Sequence, residues 1–122
     1  MKRILVVDYE DSVRNITANL LNRIGYETLA ASNSQEALSL LEKGIPDLIL
    51  IDYLMGDGIT GLEACRRIRE VHTKEELPIV IMSGAGEALR RNSIEAGAND
   101  YLPKPYNLNE LVKVLMKNLG EN

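Results

Sequence analysis

The sequence predicts an α/β domain in which a parallel sheet carries helices on both faces. Three observations point there. Residues 4–7, 48–51 and 79–82 are runs of consecutive aliphatic side chains without polar alternation, the pattern of strands buried on both faces. The segments between such runs place apolar residues three and four apart, as helices with one buried face do. Glycine or proline punctuates the joins. Strand and helix alternate through five β–α units, which implies a parallel sheet, and right-handed crossovers favour the compact strand order 2-1-3-4-5.

Residues 3–8 form the first strand and end in Asp8. The next segment sets Val13, Ile16, Leu20, Leu21 and Ile24 on one helical stripe, with Asp11 or Ser12 as its cap and Gly25 as its stop. Residues 27–31 read as a short mixed strand at an edge. Ser34, Ala37, Leu38 and Leu41 make a second helix, ended by Gly44 and Pro46. The central strand, 47–52, ends in Asp52, and a helix of about 60–71 follows a glycine-rich loop. Residues 78–83 are another buried strand, ending on the hydroxyl of Ser83. A weakly amphipathic helix over 87–96 leaves Arg90 and Arg91 exposed, and 100–102 is a brief strand. The last helix, 108–119, turns Leu108, Leu111, Val112, Leu115 and Leu119 inward. The whole reads as one domain, 1–122, either standing alone or cut from a longer chain after Asn122.

A chain of 122 residues, 45% hydrophobic, can fill a single core. A net charge of −4 offers no electrostatic footprint for nucleic acid or an anionic membrane. No apolar run approaches the roughly 20 residues of a membrane span, and no signal-peptide pattern opens the chain. The single cysteine, Cys65, cannot form an internal disulfide and recurs with Leu62 and Ile68 at helical spacing, so it reads as core packing in a reducing compartment. The expected location is the cytoplasm. His72, the only histidine, falls in a polar stretch and reads as a solvated loop residue.

In an open parallel sheet, ligands gather beyond the carboxyl ends of the strands. The order 2-1-3-4-5 brings Asp8, Asp52, Ser83 and Lys104 to adjacent tips. Two neighbouring carboxylates repel unless a cation intervenes. Hard oxygen ligands suit Mg²⁺, which typically takes one or two carboxylates together with waters and phosphate oxygens. Lys104 supplies a point charge suited to a phosphoryl oxygen. Ser83, followed by small Gly84 and Ala85, offers a hydroxyl and an open backbone N–H. An aspartate can serve as nucleophile in phosphoryl transfer, the protein adding position and charge neutralisation.

Over its whole length the sequence resembles a response-regulator receiver domain of two-component signalling, of the chemotaxis-regulator kind. The resemblance is carried by Ile4-Leu5-Val6-Val7-Asp8, Pro46-Asp47-Leu48-Ile49-Leu50-Ile51-Asp52, Pro78-Ile79-Val80-Ile81-Met82-Ser83 and Ala96-Gly97-Ala98-Asn99-Asp100-Tyr101-Leu102-Pro103-Lys104-Pro105. It implies a flavodoxin-like (βα)5 three-layer sandwich that is not an enzyme. It also implies that Asp52 accepts a phosphoryl group from the phosphohistidine of a sensor histidine kinase or histidine phosphotransfer protein. Lys104 and Ser83 would contact that group, Gly84 would lend its N–H, and Asp8, Asp52 and the Leu54 carbonyl would hold Mg²⁺. Ser83 and Tyr101 would form the switch, Tyr101 matching an aromatic that swings inward on activation. The downstream partner would dock on the face of helix 4, strand 5 and helix 5. The Lys104-Pro105 peptide matches one that is cis in the family.

Two departures stand out. The family ends its first strand in two acids, where this chain has Asp8 and Tyr9, with Glu10 and Asp11 behind. Losing one unit charge beside the ion forfeits on the order of a few kcal/mol at intermediate dielectric, so Mg²⁺ is expected to bind weakly. The loop after Asp52 has Gly56 where the family has proline, and Gly61 follows nine residues after the aspartate where the family spacing is eight. The residues that orient hydrolytic water in the family correspond here to Leu54 and Ala85, neither of which can bond it, so a slow loss of phosphate is expected. Two rival readings follow. A pseudo-receiver would keep the fold as a docking module without phosphorylation. A flavin- or dinucleotide-binding enzyme is suggested by the G-x-G-x-x-G at residues 56–61. Against the enzyme stand the distance of the first glycine from the strand, the charge of Asp57 and the Ser83-Gly84 ending where an acid is expected. No G-x-S-x-G surrounds Ser83.

Overall fold

The computed structural model describes residues 1–56 and 58–120. Asp57, Glu121 and Asn122 lie outside the described residues, and with them the charge argument at Asp57 and the chain end at Asn122. Strands β1 (Arg3–Val7), β2 (Glu27–Ala31), β3 (Leu48–Asp52), β4 (Ile79–Ser83) and β5 (Asp100–Pro103) alternate with helices α1 (Asp11–Arg23), α2 (Ser34–Lys43), α3 (Gly61–Arg69), α4 (Arg90–Glu95) and α5 (Leu108–Leu119). All strand pairs are parallel, in the order β2-β1-β3-β4-β5. The expected sheet and the edge position of residues 27–31 are both found.

Side chains alternate across each strand and fill two cores. Leu5, Val7, Ile49, Ile51, Ile79 and Ile81 face α2, α3 and α4, where Ala37, Leu41, Leu62, Cys65, Ile68 and Ala96 meet them. Ile4, Val6, Leu48, Leu50, Val80 and Met82 face α1 and α5, against Leu21, Leu111 and Leu115. Two buried faces explain why these strands contain no polar alternation. Cys65 is fully buried, as expected of a core residue.

Several local expectations are corrected. The N-cap of α1 is Glu10, which makes no side-chain cap bond, and Asp11 already lies inside the helix. Ile16 points outward at 60% exposure, while Thr17 takes the buried position with Leu21, four residues on. The helix read over 87–96 is divided: a 3₁₀ turn at Gly86–Leu89 precedes the short α4. Arg90 is half-buried, its guanidinium over the Tyr101 ring and its charge shared by Glu87 and Asp100. Leu108 is 45% exposed: it is the first residue of α5, between the two partners of its capping box, Asn107 and Glu110. His72 is not solvated: its ring lies in a groove with Leu38, Leu41, Ile68 and Val71, its Nδ1 3.5 Å from a Glu76 carboxylate oxygen.

Candidate functional site

Register places the rim. Val7 pairs with Ile51, so Asp8 and Asp52 follow at the same level, one on each of two adjacent strands. Asp52 pairs with Met82 and Ser83 with Pro103, so Ser83 stands one residue higher and Lys104 one beyond that. The Lys104 amide donates to the Ser83 carbonyl at 2.7 Å, and the Lys104-Pro105 peptide is cis. From there the Lys104 ammonium reaches back, 3.2 Å from Asp52 Oδ2 and 3.5 Å from Asp8 Oδ2.

Asp8 is almost wholly buried and is held from two sides. Its Oδ1 accepts the Glu10 amide at 3.0 Å, and its carbonyl accepts the Arg14 guanidinium at 2.8 Å. Asp52 is less enclosed and opens on a cleft lined by Tyr9, Glu10, Leu54, Met55, Gly56, Ser83, Gly84 and Lys104. Burial raises the Asp52 carboxyl above the ordinary carboxylate range. The Lys104 charge opposes that rise and the Asp8 charge adds to it. Burial lowers the Lys104 ammonium, but Asp52 and then Asp8 more than offset it, and its pKa moves upward. The site therefore holds one firmly charged ammonium between two carboxylates, one of which ionises reluctantly.

Of the residues singled out in the sequence, Asp52, Ser83, Gly84, Leu54 and Lys104 line one cleft, and Asp8 joins them through Lys104. The Ser83 hydroxyl accepts the Ala85 amide at 3.0 Å. Tyr101 stands apart from the cleft, 1% exposed, with its hydroxyl donating to the Gly86 carbonyl. Its inward position is held by Arg90, a contact the sequence reading missed because no local pattern links residues 90 and 101. Arg14 was missed as well, although an arginine one helical turn into α1 is placed to reach the strand tip behind it. Asp100, the first residue of β5, is also buried. Burial raises its carboxyl, yet the Asn118 amide, the Tyr101 backbone N–H and Lys117 outweigh that and bring it below the ordinary range.

Among the described residues no group of three or more His, Cys, Asp or Glu side chains is arranged to hold a metal. Asp8 and Asp52 are a two-carboxylate donor set, which matches what Mg²⁺ typically asks of a protein when waters and phosphate oxygens complete its shell. The ion would share that pair with Lys104. Tyr9 is 59% exposed and contributes no charge. Of the described residues in the G-x-G-x-x-G stretch, Gly61 is the first residue of α3, capped by Thr60, and Gly56 lies against Tyr9. No helix among the described residues is long and apolar enough to cross a membrane.

Comparison with known proteins agrees with this architecture. The phosphate regulon transcriptional regulatory protein PhoB of Pseudomonas aeruginosa is 36% identical over 123 residues, covering 98% of this chain and 53% of its own length. The chain spans about half the length of the curated relatives it matches. A two-component response regulator from Clostridium difficile superposes with a TM-score of 0.89 at 30% identity, over 98% of this chain and 97% of that one. The response regulator TrrA from Thermotoga maritima, solved in complex with Mg²⁺-BeF, gives a TM-score of 0.86 at 35% identity over 97% and 99%. The family pattern for the response regulator receiver domain matches residues 4–116, and on that match and these relatives the chain belongs to the response regulator receiver domains of two-component systems.

Proposed function

We propose that this chain is a phosphorylation-driven signalling switch, without enzymatic output of its own, in which Asp52 is the phosphoryl acceptor. The observation that carries this reading is the placement of the Lys104 ammonium 3.2 Å from Asp52 and 3.5 Å from Asp8 at the head of an open cleft. An Asp52 carboxylate oxygen attacks phosphorus, and the new P–O bond forms as the P–N bond to a donor histidine breaks. The electron pair stays on the departing imidazole nitrogen. Lys104 neutralises the charge that spreads over the equatorial oxygens, and the Ser83 hydroxyl and Gly84 N–H contact them. Asp8, Asp52 and the Leu54 carbonyl would hold Mg²⁺, which would supply positive charge to offset that of the incoming phosphoryl group. The response regulator TrrA, solved in complex with Mg²⁺-BeF, is support for an ion in a domain of this fold.

The donor is a sensor histidine kinase or histidine phosphotransfer protein in the cytoplasm. The phosphoryl group adds about −1.5 to −2 charges to the rim. Ser83 and Lys104 are drawn to it, and Tyr101 responds in the space behind Ser83, biasing α4, β5 and α5 between two states. That face carries a groove lined by Glu87, Arg90, Tyr101, Glu110, Lys113 and Lys117, where a downstream protein would bind. No nucleic-acid contact is assigned to this domain.

Incubation with acetyl phosphate and Mg²⁺, followed by intact mass, is expected to show one added phosphoryl group, absent in Asp52→Asn. Tyr9 in place of an acid favours a second reading, a docking module that acts without phosphorylation. Absence of uptake in the wild-type chain, with or without Mg²⁺, selects that reading instead.

A further inference from the structure

The two departures from the family pattern, Tyr9 and Gly56, touch each other. A β-carbon built on Gly56 would fall inside van der Waals contact with Tyr9, 2.5 Å from Cζ and 2.8 Å from Cδ1 and nearer still to Cε1. Gly56 is not among the glycines with positive φ, so its backbone is one that any residue can adopt. What occupies the place of a side chain at residue 56 is the tyrosine ring. The loop after Asp52 and the tip of β1 are thus fitted to one another by a glycine and an aromatic.

The ring also divides two clefts. Tyr9 and Gly56 both line the cleft above Asp52, and both line a neighbouring one with Asp11, Ser32 and Asn33. The strand order sets β1 on one side of β3 and β4 and β5 on the other. Tyr9 and Gly56 therefore close the side of the Asp52 cleft opposite Ser83, Gly84 and Lys104. An acid at residue 9 would add a negative charge there. Tyrosine adds surface and no charge, so an arriving phosphoryl dianion meets no extra repulsion from this wall.

We propose that Tyr9 and Gly56 act as one unit, an uncharged wall of the Asp52 cleft, with Tyr9 as a positioning residue for the loop that follows Asp52. The inference rests on the reading of Asp52 as phosphoryl acceptor. It makes Gly56 a consequence of Tyr9: the glycine exists to seat the ring. In Gly56→Ala the atoms that must yield belong to the far end of an exposed side chain, so the ring swings away at little cost to the fold and the wall opens.

Four variants test it: Tyr9→Phe, Tyr9→Ala, Gly56→Ala and the double Tyr9→Ala/Gly56→Ala. Two readouts are followed, hydrogen exchange at the amides of Leu54, Met55 and Gly56, and the rate of phosphoryl uptake from acetyl phosphate by intact mass. Tyr9→Phe is expected to keep both near wild type. Tyr9→Ala and Gly56→Ala each speed exchange and slow uptake severalfold, with a melting temperature close to wild type. The double variant is no worse than Tyr9→Ala alone. Effects that add in the double variant, exchange in Gly56→Ala equal to wild type, or altered exchange with unaltered uptake would each overturn the proposal. If exchange follows the predicted order and wild type takes up no phosphoryl group, the assignment of Asp52 fails while the ring–glycine unit stands.

Discussion

Gly61 packs directly on the backbone of Asp52. A β-carbon at residue 61 would stand 2.5 Å from the Asp52 carbonyl oxygen and 3.2 Å from its carbonyl carbon, and the Gly61 amide donates to the Tyr53 carbonyl at 2.9 Å. The first turn of α3 thus bears on the residue proposed as the phosphoryl acceptor. The atoms in the way belong to the backbone and cannot rotate aside. Gly61→Ala should destabilise the domain by about 1–3 kcal/mol, the usual cost of overpacking a tight contact. It should also slow phosphoryl uptake by displacing Asp52. Urea unfolding measures the first effect and intact mass the second. A variant matching wild type in both would show that the contact relaxes freely.

The charge balance at Asp52 predicts a stability that depends on pH. Burial first, and then the Asp8 charge, hold its folded-state pKa above the ordinary value despite Lys104. A carboxyl raised in the folded state favours folding while protonated, and that advantage is lost as pH rises through the folded pKa. At neutral pH the ionised Asp52 therefore costs stability, and Lys104 retains Asp8 as a partner if Asp52 is replaced. Asp52→Asn should melt a few degrees above wild type at neutral pH, with the gap closing as the solution is acidified through the carboxylate range. A gap independent of pH, or a lower midpoint for the variant at neutral pH, would contradict this balance.

The Mg²⁺ prediction concerns Tyr9. Its replacement by aspartate restores a third carboxylate beside Asp8 and Asp52, and one unit charge near the ion contributes on the order of a few kcal/mol at intermediate dielectric. Tyr9→Asp should bind Mg²⁺ at least tenfold more tightly, since about 1.4 kcal/mol is one decade. Titration of the backbone amides near residue 52 reads the affinity. Equal affinities for the two chains would sink the idea that Tyr9 weakens the ion site.

The proposed phosphorylation carries a prediction for phosphate lifetime. Leu54 is 70% exposed at the mouth of the cleft, and Ala85 follows Gly84 across it. Neither side chain can hydrogen-bond an attacking water. The phosphorylated domain should lose its phosphoryl group over minutes or longer, and Leu54→Gln should shorten that severalfold. Decay within seconds in the wild-type domain would refute the role given to these two positions.

Much of this arrangement was legible in the sequence. Residues 4–7, 48–51 and 79–82 are apolar on both faces, which leaves burial in a central sheet as their only comfortable state. Each is followed by the residue that tops its strand: Asp8, Asp52 and Ser83. Spacing was less informative about which way a helix faces. Ile16 and Thr17 both fit the stripe of α1, and tertiary packing chose Thr17. Arg90 and His72 read as exposed because charge and polarity are local signals, while the Tyr101 ring and the groove beside α3 that cover them come from distant parts of the chain. The contact of Tyr9 with Gly56 lay beyond reach for the same reason. Each departure was visible alone, and only folding makes them partners.

The central claim is that the carboxylate of Asp52 receives phosphorus. An acyl phosphate is reduced by borohydride, which converts the aspartate that carried it to homoserine. After incubation with acetyl phosphate and Mg²⁺, borohydride treatment and peptide mass mapping should find homoserine at residue 52 and unmodified Asp8. Homoserine at another aspartate, or none in a chain that has gained a phosphoryl group, would contradict the account.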